Sequence, residues 1–377
     1  MVPKQIKIIL FFFIFIIAMS SFAIAKPVIS DVSGDFSHFN FVKIYGENFG
    51  EKETPKPIRY DDCEGLTVGS SIADQTEFWT DRASDYSQAT ISDINQRGVS
   101  EKNIRAQNDV YGNPLFFSNN VGFADTGKIF VSFWVRWDWG SNIVEAGDGR
   151  YQIKLFRTAV EIEGNGKVID PDFANFNWWY EDISNKHYIT NQRDVGSNTQ
   201  YFDSGILVDD SWHHMMLQAD MGSAGNSDGK WKAWCSKEGF SAAYNLIIQE
   251  NTLVIGSTDN LMNAVKFDCW LGNLDSGDLD LFLDDIYIDN SWARVEIGSH
   301  PNYEDCKHRE IQLPKEWSDE QIEIYVNQGG FSSGDDVFLF VVDGSGNISK
   351  GFPLNIGDQK EEDLLTPPSN PEVISSE

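Results

Sequence analysis

The stretch DDSWHHMMLQAD, from Asp209 to Asp220, decides the fold class. Side chains alternate between the two faces of a β-strand, so His213 and Leu217 share one face while Trp212 and His214 share the other. Both faces carry apolar groups, which predicts a central strand that is covered on both sides. The adjacent histidines then point in opposite directions and cannot bind one metal ion together. We therefore expect each to be a hydrogen-bonded wall residue.

The rest of the chain contains many runs of the same kind. They are rich in Val, Ile, Phe, Tyr and Trp and are separated by clusters of Gly, Asn, Asp and Ser. Examples are FNFVKIYG, KIFVSFWVRWDW, YQIKLF, KWKAWC and DVFLFVVD. We find no long stretch with the period of an amphipathic helix. Short apolar runs at this spacing predict an all-β protein built as a sandwich or a barrel.

Composition narrows the classes of function. The chain has 377 residues, with 58 Asp and Glu against 29 Lys and Arg, and a net charge of −29. Such a surface repels nucleic acids and anionic membranes, so we expect no nucleic-acid partner. The carboxylates suit calcium, which takes oxygen ligands. They are equally typical of a highly solvated secreted protein.

The N-terminus predicts export. Two lysines precede an apolar run from Ile8 to Met19, and Ala23 and Ala25 form a small-x-small cleavage site. The alternative, a permanent membrane anchor, needs about 20 apolar residues, and this run is shorter. We expect residues 1–25 to be a cleaved signal peptide, with no membrane span afterwards. The mature protein is then secreted, in the extracellular space or at the cell surface.

Four cysteines outside the cytosol can form disulfides, and three connectivities are allowed. Cys235 ends the run KWKAWC and Cys269 lies in KFDCWLG, two runs that could be neighbouring strands. We expect a disulfide between Cys235 and Cys269. Cys63 and Cys306 are then either free or paired to each other.

The two ends of the chain resemble one family. The stretch PVISDVSGDFSHFNFVKIYGENFG, from Pro27 to Gly50, resembles the first two strands of the IPT/TIG family of immunoglobulin-like domains, including the G-x-x-F-G turn. The pattern resumes at ARVEIGS and is most specific in WSDEQIEIYV (Trp317–Val326). The resemblance implies one discontinuous immunoglobulin-like sandwich made of residues 26–56 and 292–357. Residues 358–377, acidic and rich in Pro and Ser, predict a disordered tail.

The intervening residues 57–291 resemble the concanavalin A-like lectin/glucanase superfamily, which includes laminin G-like domains. The resemblance lies in the D-x-W-H-H strand, the DGKWKAWC that follows it, the earlier KIFVSFWVRWDW and the closing FLDDIYIDN. In that superfamily a D-G usually follows the strand that corresponds to KWKAW, and here Cys235-Ser236-Lys237 stands in its place. The resemblance implies an antiparallel jelly-roll sandwich, inserted in the smaller immunoglobulin-like sandwich.

Carboxylates lie at both ends of this inserted piece, in YDDCEG and in LFLDDIYID. If its first and last strands pair, these groups converge, and like charges so close need a cation or protonation. We expect Asp62, Glu64, Asp284 and Asp285 to form a structural calcium site. The alternative is that they cap turns and face solvent.

The stretch FNWWYED lacks a clean strand period and predicts a loop. Exposed rings beside charged groups suit a sugar, which has an apolar C–H face and a polar rim. We expect Trp178, Trp179 and Tyr180, with Arg157 near them, to line an exposed carbohydrate-binding groove. The alternative is that these rings belong to the core, like most tryptophans of a sandwich.

No complete set of catalytic residues is recognisable. The E-x-D-x-x-E strand of glucanases in the resembled superfamily is missing. GRYQIKLFR is loosely similar to a strand of polysaccharide lyases and places Gln152 and Lys154 on one face, but no Y-x-K-x-G-x-Y strand follows. We predict a non-catalytic glycan-binding or adhesion protein, whose partner is a polysaccharide or a cell-surface glycan. The alternatives are a polysaccharide lyase or glycosidase, and a purely structural surface protein.

Overall fold

The computed structural model shows a nearly all-β chain. At several strand positions, Trp179 and Tyr180 among them, only the backbone is described. The predicted signal peptide, apart from its last residue, and the predicted tail beyond residue 360 lie outside the described residues. The described residues are 25–81, 88–108, 115–139, 144–145, 152–165, 167–169, 175–181, 186–193, 196–202, 211–236, 242–256, 261–272, 274–276, 279–357 and 359–360.

Strands dominate, and two short helices, α1 (Ile72–Gln75) and α2 (Phe123–Thr126), and a 3-10 turn at Tyr303–Asp305 accompany them. None of the helices described is long and apolar enough to cross a membrane. The strands are β1 (Val28–Asp35), β2 (Phe41–Glu47), β3 (Arg59–Asp61), β4 (Thr80–Asp81), β5 (Thr90–Ser92), β6 (Asn103–Asn108), β7 (Leu115–Asn119), β8 (Lys128–Trp139), β9 (Val144–Glu145), β10 (Gln152–Ala159), β11 (Glu161–Ile162), β12 (Val168–Ile169), β13 (Asn175–Glu181), β14 (Lys186–Arg193), β15 (Gly196–Tyr201), β16 (Trp212–Asp220), β17 (Gly229–Cys235), β18 (Asn245–Thr252), β19 (Ala264–Gly272), β20 (Leu274–Ser276), β21 (Leu279–Asp289), β22 (Arg294–Gly298), β23 (Arg309–Ile311), β24 (Leu313–Trp317), β25 (Gln321–Tyr325), β26 (Asp336–Val342), β27 (Phe352–Asn355) and β28 (Gln359–Lys360).

Two antiparallel sheets form the larger sandwich. The seven-stranded sheet has the order β15-β14-β13-β10-β19-β7-β4. The eight-stranded sheet has the order β18-β17-β16-β8-β21-β6-β5, with β3 also paired to β21. Their facing sides bury one hydrophobic core, which includes Trp137, Trp178, Trp231 and Phe267. The predicted all-β, antiparallel sandwich is confirmed.

The double histidine lies where the sequence predicts. Strand β16 pairs with β8 on one side and with β17 on the other, so it is central. His213 is buried, and its ring centroid lies 5.5 Å from that of Trp137. The His214 ring stacks on the Trp134 ring, with 4.6 Å between the centroids. The Nδ1 atom of His214 lies 2.8 Å from the Tyr244 hydroxyl. Burial lowers the pKa of His214 well below its ordinary value, so this ring is a neutral wall residue.

Both ends of the chain contribute to a second, smaller sandwich. One of its sheets has the order β24-β25-β2-β1-β28 and the other has the order β23-β22-β26-β27. Strand β2 pairs with β25 and places Ile44 opposite Ile322. One hydrophobic core joins Val32 and Phe49 to residues such as Val295 and Leu339. The assignment of this sandwich to the IPT/TIG family stays a prediction.

The smaller sandwich covers the outer face of the eight-stranded sheet. Phe130 and Trp234 on that face pack with Trp292 and Ile311. Trp292 precedes strand β22 of the smaller sandwich, and Ile311 is the last residue of its strand β23. The outer face of the seven-stranded sheet lies on the opposite side of the larger sandwich. The two outer faces are therefore separate surfaces.

The predicted disulfide between Cys235 and Cys269 is wrong. Cys235 is a free, buried thiol on β17 of the eight-stranded sheet, whereas Cys269 belongs to β19 of the seven-stranded sheet. The free thiol of Cys235 rules out its pairing with Cys269. Cys63 and Cys306 are also free, and burial raises the pKa of all three described thiols.

Candidate functional site

The part of FNWWYED up to Glu181 belongs to strand β13 and not to a loop, and β13 pairs with β10 and β14. Trp178 is fully buried and its ring stacks on Phe202 at 5.0 Å. The prediction of Trp178 as an exposed sugar-binding ring is therefore wrong, because strand pairing turns this ring into the core. Trp179 and Tyr180 follow in the same strand, but their side chains lie outside the described part of the chain. Their predicted role in sugar binding stays a prediction.

A row of polar side chains crosses the outer face of the seven-stranded sheet. Strand register aligns Lys266 with Arg157, Arg157 with Asn177, and Asn177 with Thr190. The hydroxyl groups of Thr190 and Thr199 lie 3.2 Å apart on the next pair of strands. The neighbours of these residues along each strand point into the core, so alternation puts this polar row on the outer face. Arg157 is the one predicted sugar-binding residue whose described side chain lies there.

A second row contains aromatic residues and runs beside the polar row. Register aligns Lys154 with Trp179, Trp179 with Tyr188, and Tyr188 with Tyr201. The rings of Tyr188 and Tyr201 are 5.3 Å apart, and Tyr201 is 50% exposed. A register shift directly after Lys154 interrupts the alternation of β10, which brings Lys154 and Arg157 to the same face. We call this set the aromatic row.

Several side chains of the polar row are covered by their neighbours. Asn177 is fully buried, and Thr190 and Lys266 are each 6% exposed. Polar side chains on the outer face of a sheet are normally solvated, so this burial is unusual. We call this sheet face, with its two rows, the outer recess.

Cations outnumber carboxylates among the described side chains of the outer recess. The Nζ atom of Lys266 lies 2.7 Å from the Asp268 carboxylate, and both side chains are buried. Burial lowers the pKa of Lys154 and of Arg157, and the charges of Arg157 and Lys266 lower the pKa of Lys154 further. The carboxylate of Asp268 acts in the opposite direction on both. A bound anion would relieve the repulsion among these cations.

Two of the predicted calcium ligands surround a buried guanidinium. Arg97 forms ion pairs with Asp284, at 3.5 Å, and with Asp285. It also pairs with Glu310 of the smaller sandwich, at 2.7 Å. Adjacent residues of a regular strand face opposite ways, but β21 has a register shift here and Asp285 has a φ of 47°. This local irregularity lets both carboxylates approach one arginine.

The other two predicted ligands lie near this cluster. Asp62, Glu64 and Asp285 line a narrow recess of about 10 Å³. Burial raises the pKa of Asp62 to about 6. The Glu64 carboxylate accepts hydrogen bonds from the Ser100 hydroxyl, at 2.9 Å, and from the backbone N–H of Glu101, at 2.7 Å. No three His, Cys, Asp or Glu side chains of the described residues are arranged to hold a metal ion. Calcium stays a prediction.

The sequence reading missed several residues of the outer recess. Lys266 and Asp268 lie in AVKFD, and Tyr188 and Thr190 lie in HYIT. In both stretches polar or amphipathic residues alternate with apolar ones, which is the period of a strand with one buried face. This pattern could have identified the row.

No family model matches the sequence, and no curated protein matches it. The chain is similar to the PL-14 alginate lyase from Aplysia kurodai, with 14% identity and a TM-score of 0.38, over 53% of this chain and 86% of that chain. A mutant of alginate lyase Aly36B in complex with alginate trisaccharide has 12% identity and a TM-score of 0.38, over 62% and 98%. A GH131 beta-glucanase catalytic domain from Podospora anserina has 10% identity and a TM-score of 0.38, over 62% and 95%. We base the function on the geometry of the site alone.

Proposed function

We propose that the protein binds an acidic polysaccharide outside the cell, on the outer recess of the seven-stranded sheet. The observation that supports this function is the polar row beside the aromatic row on one sheet face. Core residues would not need this combination, because buried charges destabilise a fold unless they are paired.

The two rows match the chemistry of a sugar chain. Tyr201, which is 50% exposed, offers ring surface to the apolar C–H face of a sugar. Thr190 and Thr199 carry hydroxyl groups that can donate to and accept from sugar hydroxyls. The guanidinium of Arg157 is a planar fork that can bind a carboxylate through two parallel hydrogen bonds.

Charge favours an acidic ligand over a neutral one. The chain as a whole carries a charge of −29, which repels polyanions from most of its surface. Lys154, Arg157 and Lys266 lie beside a single described carboxylate, that of Asp268. A uronate or sulfate group would add a negative charge beside these three cations.

The same recess supports a second candidate function, eliminative cleavage of the bound chain. A polysaccharide lyase needs a base that removes a proton next to a carboxylate, and cations that stabilise the charge that develops. Tyr188 is register-aligned with Trp179, which is aligned in turn with Lys154, so a phenol and a cation share this face. An unsaturated product that absorbs ultraviolet light would distinguish this activity from binding alone.

Export is part of the proposal and rests on the N-terminal sequence. Cleavage after Ala25 would give a mature protein that begins at Lys26. N-terminal sequencing of the protein recovered outside the cell tests this directly. An N-terminus that still contains the apolar run from Ile8 to Met19 would contradict it.

The proposed function is tested by a glycan array carrying polyuronates, sulfated polysaccharides and neutral glucans. The mature protein should be retained on acidic glycans and not on neutral ones. Equal retention on neutral glucans, or no retention on any acidic glycan, would contradict the proposal. The same array with a calcium chelator tests whether calcium contributes to retention. The ultraviolet absorbance of the eluate tests whether the bound glycan is cleaved.

A further inference from the structure

A second recess lies at the junction of the two sandwiches, on the other side of the larger sandwich from the outer recess. Its volume is about 180 Å³. Strands β16, β17 and β18 of the eight-stranded sheet form its floor and one wall, together with Trp292. The turn 345–347 of the smaller sandwich closes the opposite side. We call it the junction recess.

Polar side chains from both sandwiches converge on the junction recess. Lys230 and Lys232 lie two positions apart on β17 and therefore share a face. Gln218, which is 5% exposed, is aligned with Lys232 on the neighbouring strand. The Gln218 amide oxygen accepts a hydrogen bond from Arg294 at 3.2 Å, which fixes the orientation of the amide. Glu250 of β18 completes the wall and brings a carboxylate to the recess.

The turn that closes this recess is fixed before any ligand arrives. The Asp343 carboxylate accepts hydrogen bonds from the backbone N–H groups of Ser345, at 2.8 Å, and Asn347, at 2.9 Å. Gly346 has a φ of +86°, and a Cβ atom there would lie 3.0 Å from the Gln218 amide nitrogen. Glycine thus allows the turn to approach the sheet closely.

A lysine of the larger sandwich holds the same turn in place. Lys128 donates a hydrogen bond from Nζ to the Gly344 carbonyl at 2.6 Å. The ammonium groups of Lys128 and Lys230 also lie 5.0 and 4.9 Å from the ring centroid of Trp292. The recess is therefore preorganised, which reduces the entropic cost of binding a ligand.

We propose that the junction recess binds a single acidic sugar unit. Its carboxylate or sulfate lies at Lys230 and Lys232, and its hydroxyl groups bond to Gln218, Glu250 and Asn347. The anionic group follows from the two ammonium groups, which outnumber the one carboxylate that lines the recess, whereas the choice of a sugar rests on the proposed function. The small volume of the recess, about 180 Å³, favours a single ring over a chain.

A ligand in this recess touches both sandwiches. It binds the folded protein with the junction closed and not the unfolded chain, so it raises the melting temperature by mass action. The protein would then have two separate glycan-binding sites. The outer recess would hold a stretch of the sugar chain, and the junction recess would hold a single sugar unit.

The test is isothermal titration of the mature chain with glucuronate, glucose 6-sulfate and glucose. Three variants are compared with the wild type: Lys230→Met with Lys232→Met, Lys154→Met with Arg157→Met, and the exposed control Lys307→Met. We expect one site for an anionic monosaccharide. Its affinity should fall about tenfold or more in the Lys230 and Lys232 variant, since hydrogen bonds to charged groups contribute about 1.5–3 kcal/mol. The Lys307 control should bind as the wild type does, and the Lys154 and Arg157 variant, whose junction recess is intact, should keep the site that depends on Lys230 and Lys232. The two anions distinguish a carboxylate ligand from a sulfate ligand.

Three results would overturn the proposal: no binding of either anion by the wild type, equal binding of glucose, or unchanged affinity in the Lys230 and Lys232 variant. A loss confined to the Lys154 and Arg157 variant would assign the monosaccharide to the outer recess and also overturn it. Loss of polysaccharide retention in the Lys154 and Arg157 variant tests the proposed function separately. The two proposals can therefore fail independently, and melting temperatures confirm that each variant is folded.

Discussion

The two sheets of the larger sandwich both carry buried charges on their outer faces, but they balance them differently. On the eight-stranded side, Arg97 is surrounded by the carboxylates of Asp284, Asp285 and Glu310, and the smaller sandwich covers the cluster. On the seven-stranded side, three cations lie beside one described carboxylate, that of Asp268. In the first arrangement the described carboxylates outnumber the arginine that they surround, whereas in the second the described cations outnumber the carboxylate, so an added anion is favourable in the second.

This difference separates a structural polar cluster from a ligand site. A buried charge with several hydrogen-bonded partners rigidifies an interface, and removing one partner leaves the others uncompensated. In the outer recess, burial lowers the pKa of Lys154 and the neighbouring cations Arg157 and Lys266 lower it further, so an anion beside this lysine would be favourable. Each prediction below tests one side of this comparison.

The largest effect is expected at the structural cluster. Replacing Arg97 with leucine leaves Asp284, Asp285 and Glu310 buried without their cation, so the free energy of unfolding should fall by about 3–5 kcal/mol. Denaturant titration measures this loss. The matched control is Arg105→Leu, because Arg105 pairs only with Asp280 at a partly exposed position and should lose about 0.2–1 kcal/mol. Similar losses in both variants would contradict the distinction.

Two aromatic residues of the seven-stranded sheet should respond in opposite ways. Trp178→Ala removes a ring from the core and should lower the free energy of unfolding by about 3 kcal/mol or more. Tyr201→Ala removes a half-exposed ring of the aromatic row and should change stability by about 0.5 kcal/mol or less. Retention on an acidic glycan should fall in the folded Tyr201 variant. A Tyr201 variant that is retained like the wild type would place the sugar elsewhere.

Binding to the outer recess should weaken in alkaline solution. The folded protein holds the pKa of Lys154 below its ordinary 10.5. The positive charge is therefore lost as pH rises through that lowered value, and affinity for an anionic glycan should begin to fall below pH 10.5. Lys154→Arg should retain its affinity over this range, because a guanidinium stays charged. Identical pH profiles for the two proteins would show that Lys154 does not contact the anion.

A reducing agent should have the smallest effect. Cys63, Cys235 and Cys306 are free and buried, and none of them contributes a cross-link. The melting temperature should be the same with and without reductant, and mapping without reduction should find no peptide joined through Cys235. A lower melting temperature after reduction would contradict the assignment of these three thiols as free.

Much of the fold could be predicted because its signals are local. The alternation in DDSWHHMMLQAD predicts a central strand with its histidines on opposite faces, and β16 has that structure. The run KIFVSFWVRWDW likewise forms one long strand, β8. A period of two depends only on neighbouring residues, so it can be read before the strand partners are known.

The site was harder to predict because it depends on register and on distant partners. In FNWWYED, adjacent aromatic residues hide the alternation, and only pairing with β10 and β14 shows that Trp178 faces the core. The convergence of Asp284 and Asp285 on Arg97 needs a strand irregularity that leaves no residue pattern. A one-residue shift in register exchanges the two faces of a strand, so the same sequence permits either assignment.

The central claim is that the outer recess binds an acidic glycan through its surplus of cations. The most direct measurement is the affinity of the mature protein for a polyuronate, compared with that of the Lys154→Met, Arg157→Met double variant and of the Lys307→Met control. We predict a loss of about 100-fold in the double variant, since two charged hydrogen bonds contribute about 1.5 kcal/mol or more each, and no change in the control. Equal affinity of all three folded proteins would contradict the account.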